Sequence, residues 1–263
     1  MNMTLIIIAA AVVAITGLIV GVGLGLFGEK FKVEVDEKEL AVREELPGNN
    51  CGGCGFAGCD ALAKAIAAGK APVNACPVGG AAVGERIAAI MGVAAQAGEK
   101  KVAFVRCSGS CDKAKAQYQY DGIEDCAKAT VIPGAGPKAC SAGCMGFGSC
   151  VKACAFDAIH VVDGVAVVDE EKCVACGKCV AACPNRLIEL VPYKSKHRVR
   201  CNSHEKGKAV KEVCSAGCIG CTLCTRQCEF DAVHMENNLA VIDYEKCTNC
   251  GKCAAKCPVK VIS

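Results

Sequence analysis

The sequence has no tryptophan, and its 263 residues include seven phenylalanines, four tyrosines and four histidines. Aromatic side chains bring the largest apolar payload to a core, so a chain this poor in them needs another source of cohesion. Whole classes of chemistry are missing as well. Gly79-Gly80 lies in no G-x-G-x-x-G or Walker pattern, which excludes the usual nucleotide and flavin cradles. No Ser–His–Asp-type arrangement appears. No basic stripe interleaved with aromatics marks a nucleic-acid face.

Cysteine is abundant, at 25 residues, and three uses compete for it. Disulfides suit a secreted scaffold, but the count is odd and many thiols stand in C-x2-C-x2-C triplets, too dense for ordinary bridges. Zinc sites usually present C-x2-C pairs parted by a longer loop. Two runs instead read C-x2-C-x2-C-x3-C-P: Cys173, Cys176, Cys179 and Cys183, then Cys247, Cys250, Cys253 and Cys257. That is the spacing of 4Fe–4S ligands in bacterial ferredoxins. Metal ligation would then supply part of the stability that aromatics do not. A reducing compartment follows. The formal charge of +3 would turn negative with thiolate clusters bound, so no nucleic-acid partner is implied.

The first run belongs to a repeat. Residues 140–188 return as 214–262, 74 positions later: Cys144, Cys150 and Cys154 map to Cys218, Cys224 and Cys228, and Phe156-Asp157-Ala158 to Phe230-Asp231-Ala232. In each copy two short strands flank a turn, Asp163-Gly164 or Asn237-Asn238, both good hairpin signals. Helical turns follow the triplets. The expected class is α+β, with two tandem two-cluster ferredoxin modules (136–192 and 214–263).

The stretch from Leu5 to Phe27 carries no charge. As a helix it would run roughly 34 Å, enough to cross a bilayer core. A cleaved signal peptide is the competing reading, but no basic segment precedes the stretch and no A-x-A-like site closes it. A single N-terminal transmembrane helix (1–28) is expected, and Lys30 and Lys32 beyond it put the bulk of the chain in the cytoplasm. Gly17, Gly21 and Gly25 recur at four-residue spacing and would let another membrane helix approach, unless they merely reflect the frequency of Gly in such helices. A linker (29–47) leads to a small helical domain (48–98) with Cys51, Cys54, Cys59 and Cys76, four thiolates for one cluster. A short helix is expected over 60–68, and another over 81–96.

Residues 101–106 alternate as a strand and lead to Cys107, Cys111 and Cys126, which lack a standard spacing. Phe104-Val-Arg-Cys107 is echoed by Arg198-Val-Arg-Cys201. The segments 99–135 and 193–213 are therefore expected to form one small cluster-binding domain, joined to the first module by a turn-rich linker over 132–138, with Cys107, Cys111, Cys126 and Cys201 as ligands. The alternative is buried, inert thiols.

In two-cluster ferredoxins the fourth Cys of each run closes the other run's cluster. The later module then groups Cys218, Cys221, Cys224 and Cys257, and Cys247, Cys250, Cys253 and Cys228. In the earlier module Phe147 stands where Cys221 stands in the later one, and Cys140 is the expected replacement. Its sets become Cys140, Cys144, Cys150 and Cys183, and Cys173, Cys176, Cys179 and Cys154. Six sets use 24 cysteines and leave Cys214 over; without the 107/111/126/201 set there are five clusters. His160 and His234, at matching strand positions, are expected to pack or hydrogen-bond rather than ligate. Lys172, Lys178, Lys246 and Lys252 beside the triplets either tune the clusters, dock an acidic carrier or are solvated surface charges.

With its N-terminal anchor, the Asn50-Cys51-Gly-Gly-Cys54-Gly-Phe-Ala-Gly-Cys59 run with Cys76, the Gly136-Pro137-Lys138-Ala139-Cys140 segment and the paired C-P runs, the chain resembles the B-subunit family of Rnf complexes, in its longer, cluster-rich form. The resemblance implies an electron-transfer subunit without catalytic residues of its own. It implies soluble ferredoxin as donor, other membrane and peripheral subunits as partners, and electron flow to NAD coupled to Na+ or H+ translocation at the plasma membrane. A subunit that keeps a redox-sensing transcription factor reduced, or a ferredoxin-like subunit of another membrane oxidoreductase, are the alternatives.

Overall fold

The computed structural model describes residues 3–30, 36–94, 98–132, 134 and 136–263. Helix α1 (Met3–Lys30) is followed by α2 (Glu37–Glu45), α3 (Cys59–Ala67) and α4 (Gly80–Met91). Along 11–27, nearly every side chain of α1 is exposed. Among the described residues no helix is long and apolar enough to cross a membrane. The expected single membrane-spanning helix is thus not shown. A Cβ added at Gly17, Gly21 or Gly25 would meet nothing within 4 Å. Lys32, Pro133 and Ala135 of the expected linkers, and Ala95 and Gln96 of the expected 81–96 helix, lie outside the described residues.

Asp36 caps α2, its carboxylate accepting from the Lys38 N–H at 3.0 Å. Leu62 and Ile66, one helical turn apart on α3, meet Val42 of α2 and Val83 and Ile87 of α4 in the core of the first unit. Arg43 reaches from α2 to Asp60 of α3, and Arg86 of α4 reaches back to Glu45.

The remaining elements are short. They are β1 (Lys101–Val105), α5 (Cys126–Ala129), α6 (Ser149–Ala153), β2 (Ile159–Val162), β3 (Val165–Val168), α7 (Lys178–Ala182), β4 (Ile188–Pro192), α8 (Gly207–Val213), α9 (Leu223–Gln227), β5 (Val233–Glu236), β6 (Leu239–Ile242) and α10 (Lys252–Lys256). Both expected hairpins form, β2 with β3 and β5 with β6. Asp163 and Gly164 (φ 48° and 75°) and Asn237 and Asn238 (φ 47° and 68°) place two residues at positive φ in each turn, as a two-residue primed turn demands. Strand β1 pairs antiparallel with β4, Val105 opposite Ile188, so the segment ahead of the first module is zipped to that module's end. Residues 198–200 pair instead with the tail of the second module, through the Val199–Ile262 bridge and hydrogen bonds between Arg198 and Ser263. Arg198 is buried there, pairing with Glu170 and lying 5.3 Å from the Phe104 ring centroid.

Candidate metal centres

The aromatic-poor core is built around sulfur: Cys107, Cys150, Cys173 and Cys179 are buried among the aliphatic residues of β1 to β4, and Cys201, Cys218, Cys224 and Cys253 among those of the second module. The thiols fall into six groups. In the first, Cys54, Cys59 and Cys76 share the core of the helical unit, with Cys51 on the same loop as Cys54. Asn50, itself at positive φ, folds that loop by accepting the Cys59 N–H at 2.8 Å. The second group, Cys154, Cys173, Cys176 and Cys179, lines one cavity with Phe156 and Ile159. The third, Cys126, Cys144, Cys150 and Cys183, lines another with Val105 and Leu187. The fourth, Cys107, Cys140, Cys201 and Cys214, lines a third with Lys138 and Val210. The fifth, Cys218, Cys221, Cys224 and Cys257, lines a fourth with Met235 and Val261. In the sixth, Cys228, Cys247 and Cys250 surround Cys253.

Short helices carry neighbouring groups together. Cys150 lies on α6 and Cys154 caps its end, while α7 holds Cys179 and ends at Cys183, so two helices link the second and third groups. Helices α9 and α10 link the fifth and sixth groups in the same way, through Cys224 and Cys228 and through Cys253 and Cys257. The Cys144 N–H donates to Cys107 Sγ at 3.4 Å, joining third to fourth. The Cys218 N–H donates to the Cys201 thiol, joining fourth to fifth. First and second touch at Gly53, where a Cβ would stand 2.9 Å from the Cys176 carbonyl oxygen. The groups thus form one row, from 51/54/59/76 to 228/247/250/253.

Burial and mutual proximity act on the thiols alike. Burial, then the neighbours Cys144, Cys126 and Cys183, pushes Cys150 up to about 12. Cys140 rises to about 11 through burial, Cys107, Cys201 and Cys214. Cys179 and Cys224 also rise to about 11, chiefly through burial. Such thiols stay protonated at neutral pH unless a metal takes the thiolate. Backbone N–H groups are already aimed at several sulfurs: Ala103 at Cys173 (3.3 Å), Leu187 at Cys183 (3.4 Å), Ala232 at Cys228 (3.3 Å) and Val261 at Cys257 (3.4 Å). Among the described residues no three His, Cys, Asp or Glu side chains converge on one metal ion.

Residues 46–78 match a family model described as "Putative Fe-S cluster", and 166–189 and 240–263 each match "4Fe-4S binding domain". The B subunit of the Na(+)-translocating ferredoxin:NAD(+) oxidoreductase complex of Acetobacterium woodii is 45% identical over 98% of this chain and 78% of its own length. The B subunit of the ion-translocating oxidoreductase complex of Methanosarcina acetivorans is 45% identical over 96% of each chain. The B subunit of the proton-translocating ferredoxin:NAD(+) oxidoreductase complex of Clostridium ljungdahlii is 45% identical over 99% of this chain and 93% of its own. The chain belongs to the B-subunit family of Rnf-type complexes.

As a member of that B-subunit family it carries 4Fe–4S-binding domains, and its donor sets suit such clusters: thiolate ligands, dry aliphatic walls and N–H groups directed at sulfur. The geometry corrects two of the expected groupings. Cys107, Cys111, Cys126 and Cys201 do not come together. Cys126, on α5, joins Cys144, Cys150 and Cys183 in the place expected for Cys140. Cys140 instead meets Cys214, which was expected to be surplus, beside Cys107 and Cys201. Cys111 is the thiol outside every group; it is exposed, and its N–H donates to the Asp163 carbonyl at 2.9 Å. A signal for the Cys140–Cys214 pair was present, since the two occupy equivalent positions of the repeat. For Cys126 there was none in spacing. Its helix is held by Asp125, whose carboxyl is lowered by N–H donation from Lys128, and by the Cys126 N–H donating to Ser149 Oγ at 2.8 Å. Phe147 packs on Tyr120, ring centroids 4.8 Å apart, in the excursion that delivers it.

His160 and His234 are partly exposed and lie near Asp157 and Asp231. Lys172, Lys246 and Lys252 pair with Asp157, Asp231 and Glu229 at the surface, where such pairs contribute little.

Proposed function

We propose that this chain is the electron-transfer subunit of a membrane-bound Rnf-type complex, accepting electrons from reduced ferredoxin on the way to NAD, with the redox flow coupled to Na+ or H+ translocation. The continuous row of six cysteine groups carries this reading: the core is given over to spacing sulfur ligands. Six 4Fe–4S clusters are assigned to the six groups as they stand in the fold, 24 ligands with Cys111 over. Each bound cluster would supply a one-electron centre, within a range of about −700 to +450 mV for the class. The residues around it exclude water with aliphatic walls and direct N–H groups at sulfur, which sets the potential.

The uncharged stretch 5–27 anchors the subunit, with the clusters on the cytoplasmic side of the plasma membrane. The choice of ion belongs to the partner subunits in this reading, because the uncharged stretch 5–27 offers no ionisable side chain for it. The test is anaerobic purification from membranes with iron and sulfide analysis, EPR and a ferredoxin:NAD assay on the co-purified complex. About 24 irons per chain and low-potential signals that fade on turnover are expected. Zinc in place of iron, or unchanged NAD reduction by a complex lacking this chain, would sink the proposal. Deleting residues 1–28 should release the chain from carbonate-washed membranes.

A further inference from the structure

The wall between the third and fourth groups contains a lysine. Residues 115–117 run antiparallel to 137–139, with an Ala116–Lys138 bridge, Gln117 N–H donating to the Pro137 carbonyl at 2.8 Å and Ala139 N–H to the Lys115 carbonyl at 2.8 Å. This pairing turns Lys138 inward. Its side chain lines the cavity of Cys107, Cys140, Cys201 and Cys214, and the residue is 8% exposed. Nζ donates to the Gly109 carbonyl at 2.7 Å and the Gly164 carbonyl at 2.6 Å. It forms no ion pair among the described residues; Asp163, beside Gly164, is exposed. Two carbonyl dipoles orient an ammonium but do not neutralise it, and a buried charge without a counter-charge is costly. The missing anion is not an aspartate or a glutamate.

We infer that Lys138 is a positioning residue for electron transfer: its ammonium is the counter-charge to a thiolate-ligated cluster at 107/140/201/214, and it makes that centre easier to reduce than its neighbours. This rests on the assignment of a cluster to the fourth group. Reduction adds one negative charge to an already anionic centre, and a cation held nearby in low dielectric favours the reduced form. Lys172, Lys246 and Lys252 beside the triplets have carboxylate partners at the surface; buried Lys138 has none among the described residues.

The experiment compares the purified complex containing wild-type chain, Lys138→Gln and Lys138→Arg. Glutamine keeps N–H donors for the two carbonyls and removes the charge; arginine keeps the charge. Iron per chain and an EPR-monitored redox titration are read on each. With iron unchanged, Lys138→Gln should lower the reduced-to-oxidised ratio of one cluster roughly tenfold at a fixed potential, about 59 mV for one electron, and Lys138→Arg should stay close to wild type. Unchanged potentials in the glutamine variant, or equal shifts in both variants, would leave Lys138 as a structural tie and overturn the inference. Loss of about four irons from the glutamine variant would also overturn it, because the charge would then hold the cluster rather than tune it. The assignment itself is checked apart: Cys140→Ser and Cys214→Ser should each lose the same EPR signal, and if both keep every signal the fourth group holds no cluster, whatever Lys138 does.

Discussion

The two copies of the repeat differ in how they close. In the later module all eight grouped thiols come from residues 218–257, and Cys221 sits between Cys218 and Cys224 as the run requires. In the earlier module Phe147 occupies the equivalent position, and Cys126 arrives from outside the repeat on α5, a helix of four residues held by Asp125 and Ser149. One copy is self-sufficient, while the other depends on an excursion that folds back on it. A ligand can therefore move out of a motif without the site being lost, provided another segment reaches the same cavity.

The largest effect should come from Cys126→Ser, which removes one cluster, about four irons, measured as iron per chain with loss of one EPR signal. Adding Phe147→Cys should restore that signal by returning the first copy to the arrangement of the second; failure of the rescue would mean that the copies differ in backbone as well as ligand. Next, Leu239→Ala, at a fully buried hairpin position, should cost about 3 kcal/mol, and Val165→Ala at the equivalent place in the first copy about half as much. Denaturant unfolding followed by cluster absorbance would report both. Gly53→Ala puts a methyl against the Cys176 backbone and should cost about 1–2 kcal/mol in the contact between the first unit and the first module. Slower equilibration between their clusters in flash-reduction kinetics would be its signature. Cys111→Ser should change neither iron content nor any potential.

Much of this was legible in the residues. The C-x2-C-x2-C-x3-C-P runs led to three sets of cysteines that lie together in the fold and the C-x2-C-x4-C-x16-C spacing to a fourth, including the exchange of Cys154 for Cys183 and of Cys228 for Cys257, because spacing along one short helix decides which side of it a thiol faces. Asp163-Gly164 and Asn237-Asn238 located both hairpins because few residues tolerate positive φ at two successive positions. The third and fourth groups were misread for one reason. Their membership is decided by the β1–β4 pairing and the Ala114–Cys214 bridge, contacts between segments 80 to 100 residues apart, about which local spacing is silent. Proximity in sequence favoured Cys140 as the substitute for Cys221. Distance in the fold favoured Cys126.

The fourth group also sets a timetable. Cys107, Cys140, Cys201 and Cys214 come from four separate stretches, so closing this site means closing loops that enclose most of the repeat, at an entropic cost that local sites avoid. The first group is complete once Cys76 has left the ribosome, and the second once Cys179 has. The fourth must wait for Cys214. It is the keystone of the row, joining the three groups whose cysteines all precede Cys214 to the two that follow it, so a fault at this late-closing site would divide the row in two.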